Sequence, residues 1–267
     1  MMGIAVIFHD WLGSGTPCAL YGLADNATRQ VTGLYLCHDE CIKGYIEVLR
    51  QTVTNHGIPL GLHAENSETL FGGDSPLGAI IGDRLGIDLI AAPDAQHLKR
   101  VGYLWKALRN HFPRWLRILS ISDMGRINRE LHHYMAVFNE RFAKEPQSPE
   151  SYFVPLGVQH DLDLLLSVRH ETVTDAMGRF FFNEFVFSVD SEQPFAHKRI
   201  EFLFGEGVGF LACCDGKYHK VSFHESKHKD RIVRPSTVLK TLVREIYYTK
   251  LDKLWETTVF NKEIFPH

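Results

Sequence analysis

Several groups of residues in this chain are of types that do chemistry. Cys37-His38-Asp39-Glu40-Cys41 gathers two thiols, an imidazole and two carboxylates, the donors that zinc takes. No second ligand pair follows at zinc spacing, so the plainer expectation is a strand ending at Cys37 and a helix beginning near Cys41. The 15 histidines form no HExxH pair. Gly205-Glu206-Gly207-Val208-Gly209 sits between expected strands, where it reads as a turn and not as a phosphate cradle. Among the acids, Asp10 beside Trp11 is expected to fix a turn, Asp25 to open a hairpin turn, and Asp94 to cap a helix. Glu65 follows a short apolar segment and reads as a solvated acid at a strand end. Lys99, Arg100, Lys106, Arg109, Arg114 and Arg117 occupy a stretch without an acid from Leu98 to Arg117, interleaved with Trp105 and Trp115. Such a face either contacts phosphates or is a solvated surface over two core tryptophans, and both readings stay open. A second basic stretch, from Lys217 to Arg234, is diluted by Asp230 and its neighbours and reads as an exposed loop.

Composition narrows the class. With 267 residues the chain can bury one large and one small core. Hydrophobic residues at 45% and charged residues at 23% are ordinary for a soluble globular protein. A net charge of -3 argues against a strong, non-specific grip on nucleic acid over the whole surface. Five scattered cysteines suggest no disulfide framework. No apolar run approaches a membrane span, and the apolar opening lacks the features of a signal peptide. The expected location is cytoplasmic, with no membrane partner and no small-molecule substrate.

The elements that must position these residues change character along the chain. Short apolar segments at 4–8, 19–24 and 31–37 read as strands, the last two as a hairpin. Residues 40–56 carry apolar positions at helical spacing and stop at Gly57. A strand over 60–64, a helix over 75–85 and a strand over 87–90 follow. A long helix opens at Asp94 and is expected to break at Pro113; another runs from Asp123 to about Ala143. Residues 146–160 read as a linker. Beyond it, strands are expected over 161–169, 170–173, 179–187, 200–205, 208–214 and 218–223, then a helical tail over 236–267. The expected class is α/β: over 1–145 the element order suits a ribonuclease-H-like core, a mixed five-stranded sheet flanked by helices, as one of several α/β options, and a small β-barrel-like domain follows over 161–235.

At this point the residues carry a resemblance. HDWLGSGTPCALYGLADNATRQVTGLYLCHDE, YIEVLRQTVTNHGIPLGLHAEN, LGIDLIAAPDAQ with RVGYLWKALRN, and ISDMGRINRELHHYMAVFNERF follow one another in this order. Together they resemble the integrase core (DDE type, ribonuclease-H-like) of bacterial insertion-sequence transposases, and residues to about 225 resemble the β-rich domain that follows it. Such transposases carry a helix-turn-helix region upstream that this sequence lacks, so the expectation is a core truncated at its N-terminus.

The resemblance implies DNA integration and recombination by two divalent metal ions about 4 Å apart, held by two Asp and one Glu. Mg²⁺ demands oxygen ligands. In this sequence the three positions are held by Ala5, Glu65 and Gly102. Two offer no oxygen and the third has a longer arm. The expectation is a non-functional triad, no bound metal and lost Mg²⁺ chemistry, with Asp10, Asp25 and Asp94 as the acids open to a surrogate role. What remains is weak DNA binding, through Lys99, Arg100, Lys106, Arg109, Arg114 and Arg117, with a homo-oligomer compatible. The alternatives are an active metal-dependent nuclease or strand transferase built on replacement acids, and a protein-interaction module.

Overall fold

A computed structural model describes residues 1–64, 75–90, 95–146, 151–191, 195–226 and 234–251. The chain divides into two compact units, Met1–His160 and Asp161–His267.

In the first unit, β1 (Met2–His9), β2 (Cys18–Asp25) and β3 (Val31–Cys37) form an antiparallel meander. β5 (Gly61–Ala64) lies parallel to β1, and β6 (Asp88–Leu89) parallel to β5. The sheet order is β3-β2-β1-β5-β6, the mixed five-stranded arrangement that the ribonuclease-H-like reading requires. β2 is buried along its whole length because both faces are covered. On one face lies α1 (Ile42–His56), drawn in closely by glycines: a Cβ on Gly33 would stand 2.6 Å from the Val48 carbonyl oxygen. α1 begins one residue after Cys41, and both Cys37 and Cys41 are buried free thiols. A short helix α2 (Pro76–Gly78) runs into a π-helical turn at Ala79–Arg84.

The other face of the sheet carries α3 (Ala95–Leu119) and α4 (Met124–Phe142), which share one core with Ile7, Leu20, Leu34 and Leu36. The expected break at Pro113 does not occur; the helix continues to Leu119. An internal proline costs about 3 kcal/mol. Full burial of Phe112 and Leu116, at about 1.5–3 kcal/mol each, offsets it. Asp123 caps α4 by accepting from the Arg126 amide at 2.7 Å, as a cap there predicts.

The outer edge of β3 is closed by side chains. The amides of Asn128 and Asn139 on α4 and Gln51 on α1 each donate to and accept from one backbone position, at Leu36, Val31 and Leu34 respectively. Three amide groups thus imitate a neighbouring strand, and the unpaired edge is satisfied without one. Farther along, β7 (Phe153–Val154) pairs with β4 (Ile58–Pro59) and returns the chain to the core.

The second unit is a six-stranded antiparallel, barrel-like sheet in the order β8-β11-β12-β13-β10-β9. Its strands are β8 (Val168–Val173), β9 (Arg179–Phe182), β10 (Phe185–Val189), β11 (Arg199–Gly205), β12 (Gly209–Cys214) and β13 (Lys217–Ser226). Two sequence expectations are corrected. The strand over 161–169 is instead a turn of helix, α5 (Leu162–Leu165), because Asp161 accepts from the Asp163 amide and starts it; β8 begins only at Val168. The strand over 179–187 is a hairpin, with Asn183 in the left-handed region at φ 52° between paired Phe182 and Phe185. Phe180, Phe182, Phe187, Phe202 and Phe204 fill the interior. α6 (Pro235–Tyr247) is tied to it by Tyr247, whose hydroxyl donates to the Phe204 carbonyl at 2.8 Å and accepts from the Val168 amide at 3.0 Å.

Candidate catalytic cleft and nucleic-acid face

Ala5 stands in the middle of β1, directly across from Gly22 of β2. Its methyl group packs against the core shared with α3. Above Gly22 lies the Trp105 ring, so close that an added Cβ would meet Cζ3 at 2.5 Å. Cross-strand neighbours stand about 5 Å apart, and the indole therefore roofs the sheet surface beside Ala5. Trp105 is buried, and its Nε1 has no hydrogen-bond partner among the described residues.

Gly102 lies one turn before Trp105 on α3, at the margin of the packed stripe. It is exposed, and a Cβ there would meet nothing within 4 Å. Lys99, Lys106 and Arg109 stand three residues before it, four after and seven after, so helical geometry puts all four on one side. Position 102 is thus a gap in a row of cations about 15 Å long. Lys99, Lys106, Arg109, Arg114 and Arg117 are all exposed. Glu65, Asp94 and the Arg100 side chain lie outside the described residues.

Asp10 and Asp25 are engaged in turns. Asp10 accepts from the amides of Ser14 and Gly15, both at 2.9 Å. Asp25 accepts from the Ala27 and Thr28 amides and from the Thr28 hydroxyl, the last at 2.8 Å. They also sit at opposite ends of β1, since Asp25 pairs with Met2 while Asp10 follows His9. Eight strand positions at about 3.3 Å each separate them by roughly 26 Å.

Among the described residues, the positions that the resemblance assigns do not suit a pair of Mg²⁺ ions. Ala5 and Gly102 bring no oxygen, and Asp10 and Asp25 are too far apart to serve one site. Among the described residues no group of three His, Cys, Asp or Glu could hold a metal ion. Nor is any described helix long and apolar enough to cross a membrane.

Trp105 and Trp115 are core tryptophans, as one of the two readings left open by the sequence has them: Trp105 is buried and Trp115 packs against the core. The exposed aromatic is Tyr103, with 53% of its surface open. The Arg29 guanidinium lies 5.9 Å from its ring centroid, and Phe142 meets it edge to face at 6.5 Å. Arg141 in turn lies 5.5 Å from the Phe142 centroid. Tyr103 was legible as the residue at helical spacing from Lys99 and Lys106; Arg29, 74 positions away, was not.

No family model matches the chain. It is similar to the transposase for insertion sequence IS1202 of Streptococcus pneumoniae, 28% identical over 178 residues, which is 63% of this chain and 38% of that protein. It is also similar to the putative transposase y4bF of Sinorhizobium fredii (strain NBRC 101917 / NGR234), 25% identical over 185 residues, 65% of this chain and 40% of that one. The chain spans less than half the length of these relatives. Among solved structures, a chain of a simian T-cell lymphotropic virus intasome in complex with PP2A regulatory subunit B56 gamma overlaps 84% of this chain and 81% of its own, at 11% identity and a TM-score of 0.33. That overlap is too loose to bear on function. The two sequence relatives and the mixed five-stranded sheet agree in supporting a transposase/integrase-type core.

Proposed function

We propose that this core binds nucleic acid through the outer face of α3 and has lost metal-dependent strand transfer. One observation supports the reading above the others: position 102 is an open glycine between Lys99, Lys106 and Arg109. A glutamate there would supply a metal ligand but would also partly neutralise the row. Its absence leaves the row of cations free of an interrupting negative charge and suited to phosphates. At the same time the oxygens that a metal pair needs are missing from Ala5 and Gly102, and Glu65 alone cannot hold two ions. Replacement by Asp10 and Asp25 is disfavoured by their turn hydrogen bonds and their separation along β1.

The deciding experiment titrates a labelled duplex across salt concentrations. Phosphate contacts release counterions, so engagement of three to five cations predicts a log–log slope of about -3 to -5. Lys106→Ala and Arg109→Ala should each flatten it by about one. A flat salt response would favour a protein-interaction module. Manganese titration by calorimetry is the second arm, and tight uptake of two ions would defeat the loss of catalysis.

A further inference from the structure

We propose that Tyr103 is a stacking platform for an unpaired base, so that the face of α3 takes single-stranded nucleic acid in preference to duplex. This rests on the nucleic-acid reading above and specifies its ligand.

Tyr103 is the one large aromatic of α3 that faces outward; Trp105 and Phe112 are buried and Trp115 packs on the core. It stands four residues after Lys99 and three before Lys106, so its ring rises between two exposed ammonium groups at helical spacing. The neighbouring Gly102 leaves open space where any other residue would project a side chain. Two neighbours brace the ring, a cation over one of its faces and an aromatic edge to face. Phe142 meets it edge to face at 6.5 Å and 64°, and the half-buried Arg29 lies 5.9 Å from its centroid. A tyrosine recruited only for packing would bury its ring. This one is braced by Phe142 and Arg29, yet leaves 53% of its surface to solvent.

Cations that follow a backbone, with an aromatic set among them, are the elements of single-strand recognition. The lysines on either side take the phosphates flanking one nucleotide, and the phenol ring takes its base. In a duplex each base is already stacked and paired, so the ring has nothing to receive and only the phosphate contacts remain. The discrimination thus comes from the aromatic and the shared affinity from the cations.

The test measures anisotropy of a labelled deoxythymidine oligomer, a uridine oligomer of equal length and a mixed-sequence duplex, against the full chain at several salt concentrations. Wild type is expected to bind the single strands more tightly than the duplex. Tyr103→Ala should weaken single-strand binding by about 5- to 150-fold, the range for losing one base–aromatic stack, and leave duplex binding within about twofold. Tyr103→Phe should retain wild-type affinity, which also controls for any change in packing. Lys106→Ala should weaken both ligands together. Equal losses on both oligomers would assign the ligand as a single strand regardless of sugar, whereas loss on one alone would assign the sugar. The proposal is overturned if duplex binds as tightly as single strand, or if Tyr103→Ala leaves the single strands unaffected while Lys106→Ala still weakens binding. Should wild type bind none of the three, the nucleic-acid reading itself falls.

Discussion

The indole of Trp105 lies against the bare backbone of Gly22, where an added Cβ would stand 2.5 Å from Cζ3 and 2.7 Å from Cη2. Because Gly22 is the cross-strand partner of Ala5, one ring covers the sheet surface beside Ala5. The contact predicts that Gly22→Ala destabilises the chain by about 1–3 kcal/mol through overpacking. Urea unfolding reads this out. Adding Trp105→Leu should recover part of the loss, giving a non-additive cycle. Strict additivity would show that the indole is not the obstacle.

Restoring the acids tests the carry-over of positions. The triple variant Ala5→Asp, Glu65→Asp, Gly102→Glu should take up Mn²⁺ in calorimetry where wild type does not. Gly102 has the room, whereas Ala5 is partly buried and packs against the core beside Trp105. The Ala5→Asp step should therefore cost about 1–3 kcal/mol on its own. A folded triple variant without metal uptake would sink the assignment of these three positions.

Gly102→Glu alone should do something different. Its carboxylate would fall within ion-pair reach of Lys99 and Lys106 at helical spacing. Replacing an exposed helical glycine should raise stability by about 0.5–1 kcal/mol. Nucleic-acid affinity should fall several-fold at low salt and converge with wild type at high salt. A loss of affinity that persists undiminished at high salt would count against an electrostatic origin.

The amides that seal β3 are expected to matter more than exposed polar groups usually do. Asn128 donates to Leu36 at 2.9 Å and accepts from it at 2.8 Å. Asn128→Ala leaves a part-buried N–H and C=O without partners, at a cost of about 1–3 kcal/mol. Hydrogen exchange at the Leu36 amide should accelerate selectively. Unchanged protection there would mean that water replaces the side chain without loss.

Acid should weaken the second unit through His170. Burial is the main cause that lowers its pKa below the ordinary histidine value of 6.5, with the Glu171 charge opposing. The folded state thus favours the neutral ring, which rests 5.0 Å from the Phe182 centroid. Its contribution is intact above pH 6.5 and lost as pH falls from there toward the lower folded value. Melting temperature should drop over that window, and His170→Gln should flatten the drop. An equally steep drop in the variant would place the titration elsewhere.

Much of this was legible in one dimension, for reasons that are local. Two short apolar runs joined by a polar turn that Asp25 opens announce the β2–β3 hairpin, and helical spacing after Cys41 announces α1, because burial of one helix face needs only that spacing. The residue types at positions 5 and 102 decide by themselves that neither can offer an oxygen to a metal. Other features depend on partners that spacing cannot reveal. Pro113 stays helical because Phe112 and Leu116 are buried against the sheet, and a local rule cannot weigh that burial. Asn128 looks like a surface helix residue until Leu36, 92 positions earlier, comes within hydrogen-bonding distance. Likewise Trp105 and Tyr103, two residues apart, meet different surroundings: rotation about α3 turns one onto Gly22 and leaves the other in solvent among the lysines. Composition and period determined the elements and left positions 5 and 102 without a side-chain oxygen; only packing at long sequence separation decided which aromatic of α3 is exposed.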